Sequence, residues 1–126
     1  MFRFLLIMLL SVAAAAQTPA QLEKGVKNLN VALQNEREPV VASALFHLVK
    51  LKTVHPGQDI SEALPTIRAL ADSSDRPAIR YQAALALQYL NQSALADAVP
   101  VGDFPHHEAF FLAVSEVLQE SLVVNR

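Results

Sequence analysis

The side chains best suited to chemistry in this sequence are four histidines, at positions 47, 55, 106 and 107. The densest group is His106-His107-Glu108, with Asp103 just upstream. Adjacent residues on a helix point about 100° apart, whereas two histidines sharing one metal from a helix want i,i+4 spacing. The i+4 positions here are Phe110 and Phe111. Asp103, His106 and His107 therefore give only the weakest of three functional expectations, a metal-dependent enzyme. The histidine pair reads better as the polar start of a helix.

Other catalytic patterns are missing. No serine lies in G-x-S-x-G, and the chain's three glycines form no loop able to cradle a phosphate. The absence of cysteine excludes a disulfide, a thiolate nucleophile and a cysteine-based metal site. Glu23, Glu36, Glu38, Glu116 and Glu120 read as solvated helix surface. Basic residues are scattered, apart from Lys24/Lys27 and Lys50/Lys52, and no aromatic stripe accompanies them. Nucleic acid is therefore not an expected partner. Neither a catalytic residue, a metal nor a cofactor is expected.

What remains is a surface. The segment from Pro39 to Leu51 is apolar nearly all round, except for Ser43, His47 and Lys50. At about 100° per residue these three form one narrow polar ridge. At an offset of 39 residues stand Gln82, Ala86 and Tyr89. The expected binding strip is Ser43, His47, Lys50, Gln82 and Tyr89. Tyr89 is expected to contribute most, because tyrosine is favoured at binding surfaces.

These residues need helices to hold them. Thr18-Pro19-Ala20-Gln21 reads as a capping box with proline in the first turn, and Leu22, Val26, Leu29 and Leu33 follow on one face. That predicts a helix over 19–35. A second is predicted over 39–54, stopped by Pro56-Gly57. A third is expected to start at Asp59, with Glu62 completing a capping box. A fourth runs 76–91, with Asp75 as cap and Ile79, Ala83, Ala86, Leu87 and Leu90 buried. A short turn at 93–98 and a last helix over 106–123 complete an all-α chain. No segment alternates as a strand would.

The helices repeat. At the offset of 39, Val40 meets Ile79, Ala44 meets Ala83, Leu48 meets Leu87 and Leu51 meets Leu90. Residues 70–87, LADSSDRPAIRYQAALAL, resemble the core of a HEAT repeat: a Leu-ended helix, an Asp-containing turn, then I-R-x-x-A-A-x-A-L. Glu38-Pro39-Val40-Val41-Ala42-Ser43-Ala44-Leu45 is similar to a second, degenerate copy, with Val41 where Arg80 stands. The resemblance spans residues 19–91. It implies a short α-solenoid of stacked helix pairs that binds protein or peptide, with Asp75 and Arg80 tying turns together. A closed five-helix bundle is the alternative architecture.

Residues 1–16, MFRFLLIMLLSVAAAA, have the layout of a secretory signal peptide, with a cleavage site after Ala16. The apolar run is shorter than the ~20 residues a bilayer span needs. The mature chain, 17–126, is then one exported domain, periplasmic or secreted, with no membrane span. Loss of Arg3 leaves nine basic against twelve acidic side chains, a formal charge of −3. An exported domain without cysteines must rest on its core alone. The expected function is a non-enzymatic binding module for another protein or peptide. The alternative is a structural subunit that pairs through an apolar end face.

Overall fold

Proline sets where four helices begin. It has no backbone N–H to lose, and its fixed φ suits the first turn. The computed structural model describes residues 18–124, with side chains to 121. Its helices are α1 (Pro19–Ala32), α2 (Glu38–Val54), α3 (Leu64–Ser73), α4 (Pro77–Asn91), α5 (Ser93–Ala98) and α6 (His107–Val124). A 3-10 turn, Val101–Asp103, joins α5 to α6. Pro19, Pro39, Pro65 and Pro77 occupy the first two positions of α1 to α4. No strand occurs among the described residues, so the fold is all-α. Residues 1–16, expected to be a signal peptide, lie outside the described residues.

The first capping box forms as expected. Thr18 N–H donates to Gln21 Oε1 at 3.0 Å, and Gln21 N–H donates to Thr18 Oγ1 at 3.2 Å. The other expected caps do not form. Helix α3 begins at Leu64 rather than Asp59, because the Asp59 carboxylate instead accepts from Ser61 N–H at 2.8 Å and folds 59–63 into a turn. Those hydrogen bonds to Ser61 hold the Asp59 carboxyl below its usual range. At α4 the cap residue is Arg76, and Ser74 Oγ rather than Asp75 accepts from its N–H at 3.3 Å.

Each of α1/α2 and α3/α4 packs as a helix pair, and α2 and α4 lie against each other. The tie between the two connecting turns comes from Arg76, not Arg80. The Arg76 guanidinium donates to the carbonyls of Glu36 (2.8 Å) and Asn35 (3.4 Å), whereas Arg80 reaches only Ser74 O within its own turn. Between α1 and α3, Thr66 donates to Asn30 Oδ1 at 2.8 Å.

Helix α6 lies across α2 and α4. Its fully buried Phe110 meets Phe46, Tyr89, Phe104 and Phe111, with ring centroids 5.0–5.6 Å apart. Edge-on aromatic contacts at this range add to the burial of apolar area. No described helix is long and apolar enough to cross a membrane.

Burial in the two helix pairs is reciprocal. Val41, Ala42 and Val49 of α2 are buried, yet their offset-39 counterparts Arg80, Tyr81 and Gln88 of α4 are exposed. Conversely, His47 is exposed and Ser43 and Lys50 half-buried, while Ala86 and Tyr89 are buried and Gln82 is half-buried. Each pair hides the face that the other leaves open.

Candidate functional site

The ridge residues of α2 stand together as the spacing required. His47 Nδ1 donates to Ser43 O at 2.7 Å, and Ser43 Oγ lies 3.2 Å from the same nitrogen. A carbonyl can only accept, so Nδ1 carries the proton and Nε2 is left for an incoming group. One turn on, Lys50 Nζ lies 5.8 Å from the centre of the Phe46 ring, a cation–π contact that holds the ammonium along the helix.

The second half of the expected strip is not there. Tyr89 is only 3% exposed. Its hydroxyl donates to Val99 O at 2.8 Å and accepts from Val101 N–H at 3.2 Å, stitching the α5–α6 connection to α4. Burial pushes its phenol above the usual tyrosine range, outweighing the Val101 and Thr53 hydrogen bonds. Ala86 beside it is fully buried. Gln82 turns its Oε1 away from solvent with no hydrogen-bond partner. An offset of 39 puts residues at equivalent places in each pair, but in the second pair Phe110 of α6 and the Val99–Val101 connection cover Tyr89, whereas in the first the ridge lines an open groove beside α1. The exposed tyrosine is Tyr81, at 51%, whose hydroxyl bonds Ser115 on α6. Leu87, expected at full burial, is half-buried, while Leu85 and Tyr89 fill the core.

The ridge forms one wall of a groove between α1 and α2. One stretch, of about 510 Å³, runs past Leu22, Gly25, Leu29, Lys50, Leu51 and Val54. A second, of about 440 Å³, continues past Val40, Ser43 and Ala44, sharing Leu29 and His47 with the first. The apolar stripe of α1 explains this floor. Of its four residues only Val26 and Leu33 are buried, while Leu22 and Leu29 are half-buried along the groove. The stripe marked α1 as amphipathic but could not say which of its leucines the chain itself would cover.

Gly25 is the residue that spacing missed. It sits in the middle of α1 without a positive φ, and a Cβ built there would meet nothing within 4 Å. Glycine inside a helix costs about 1 kcal/mol relative to alanine. Packing within this fold gives no reason for it. Its visible consequence is an open, side-chain-free stretch of groove wall. The only advance signal was a glycine between apolar positions of a well-capped helix.

Asp103, His106 and His107 do not assemble, and among the described residues no group of three His, Asp or Glu could hold a metal. His55 is the C-terminal cap residue of α2, its N–H bonded to Leu51 O at 2.8 Å. Lys52 closes the following turn by donating to the carbonyls of Pro56 and Gln58 at 2.7 and 2.9 Å. Compared with known proteins, the chain matches no family model, no curated protein and no solved structure.

Proposed function

We propose that the chain is an exported binding module, not an enzyme. In this reading it is built from two stacked HEAT-like helix pairs and docks a helical segment of another protein in the α1/α2 groove. Ser43, His47 and Lys50 supply the polar wall, Leu22 and Leu29 the apolar floor. The observation that carries the reading is Gly25, a stability cost that the fold does not need, placed where a partner backbone would pass.

The reciprocal burial supports a stack rather than a closed bundle. In a translational stack of two units, each exposes the face its neighbour buries, and the outer ends must be capped by polar residues. The α4 end meets that requirement with Arg80 and Gln88. The α1/α2 end carries the polar ridge of Ser43, His47 and Lys50 on α2, but leaves Leu22 and Leu29 of α1 half-buried beside it. Along α2 the groove spans Val40 to His55, about 22 Å at 1.5 Å per residue, enough for a helix of three to four turns. Laying an apolar helix face into such a groove is a common recognition mode.

Display selection of random 16-residue peptides on residues 17–126 tests this. Enriched peptides should bind the native protein and lose at least tenfold in affinity for Gly25→Leu. Failure to enrich any peptide, or equal binding to Gly25→Leu, overturns the groove.

A further inference from the structure

The groove carries its own indication of which helix fits. Its charged or chargeable lining residues are His47, Lys50 and His55, and no carboxylate lines either stretch. Two such faces meeting across a twofold axis would oppose like charges, which disfavours face-to-face pairing.

The complementary pattern stands on α6 of the same chain. Among its exposed residues, Glu108, Leu112, Glu116 and Glu120 recur every fourth position. That spacing keeps them on one side of the helix. Leu112, between two glutamates, is 62% exposed and offers an apolar side chain at the middle of this stripe. Ala109 and Ala113 flank it with little bulk, so a facing helix can come close. The dimensions agree as well. His47 to His55 and Glu108 to Glu116 are each eight residues, about 12 Å along a helix.

Resting on the groove as a helix-docking site, we infer that its occupant is α6 of a second copy of this chain. Leu112 enters over Gly25, and Glu108 and Glu116 lie against the wall of His47, Lys50 and His55. The contact joins two different surfaces. Each pair of copies therefore keeps one free groove and one free acidic stripe, and association continues head to tail unless it closes into a ring.

Sedimentation velocity on residues 17–126, up to about 0.5 mM to reach the weak association of a contact this small, tests the inference. The native protein should climb past the dimer mass as concentration rises. Lys50→Glu, which spoils the groove, and Leu112→Asp, which spoils the stripe and would face the Lys50→Glu groove with a like charge, should each weaken association tenfold or more. An equal mixture of the two variants should form dimers and stop there, because only one groove and one stripe remain to meet. A native protein that stays monomeric, variants that associate like it, or a mixture that stays monomeric each overturn the inference. If Lys50→Glu fails to fold by circular dichroism, Gly25→Leu replaces it, since a Cβ there meets nothing within 4 Å. A monomeric protein that still binds display-selected peptides rejects the second copy alone. A protein that does neither rejects the groove too.

Discussion

Replacing Tyr89 by Phe removes one oxygen and changes little else, so it isolates what that hydroxyl does. In the structure it satisfies two backbone groups, Val99 C=O and Val101 N–H, in a region where Tyr89, Val99 and Val101 are each at most 3% exposed. A neutral hydrogen bond contributes about 1 kcal/mol net, and a buried group left unpaired costs about 1–3 kcal/mol. Tyr89→Phe orphans two such groups, while the ring and its Phe110 contact stay. The expected loss is about 2–3 kcal/mol, a substantial part of the ~5–10 kcal/mol available to a domain of this size. Urea unfolding followed by circular dichroism at helical wavelengths measures it, with the m-value unchanged. A loss under about 0.5 kcal/mol, the ordinary range for a surface change, would refute the inward role of Tyr89. The same hydroxyl imposes a pH dependence. Its folded value is raised, so the folded state holds the proton longer than the unfolded chain. That stability is fully present below about pH 10, the ordinary tyrosine value, and is lost as pH rises through the folded value. Tyr89→Phe should flatten this part of the alkaline decline.

Three further outcomes follow from burial and placement. Leu48→Ala should cost about 3–4 kcal/mol and Leu87→Ala about 1–2 kcal/mol in the same assay, because Leu48 is fully buried and its counterpart only half so. Equal costs would contradict the reciprocal burial of the two pairs. Gly25→Ala should raise stability by about 0.5–1 kcal/mol, since the new methyl meets nothing and the helix gains a better former; destabilisation would mean the groove wall is already occupied. Intact mass of exported material should begin at Gln17, within two residues, and a retained Met1 would contradict export with cleavage.

The sequence made the helices legible where the chemistry is local. Proline in the first turn, the Thr18–Gln21 box and the 3.6-residue spacing depend only on near neighbours, and the structure follows them. Asp59 misled because aspartate serves turns and helix caps through the same hydrogen bond, and with Pro65 ahead the turn prevailed. Arg76 and Arg80 both flank the same connection. Only the packed structure shows that the first reaches Asn35 and Glu36. Tyr89 shows the limit of reading a repeat. Its offset from Lys50 was correct, but periodicity describes one unit, and burial depends on whether another unit lies alongside. On the α2 half of the strip His47 is exposed and Ser43 and Lys50 are half-buried.

The docking claim is tested most directly by titrating a display-selected peptide into isotopically labelled residues 17–126 and following backbone amide shifts. The account predicts the largest changes at Leu22, Gly25 and Leu29 on α1 and at Ser43, His47 and Lys50 on α2, with Arg80 and Gln88 on the far end unmoved. Shifts concentrated on the α4 end, or spread evenly over the chain, would contradict it.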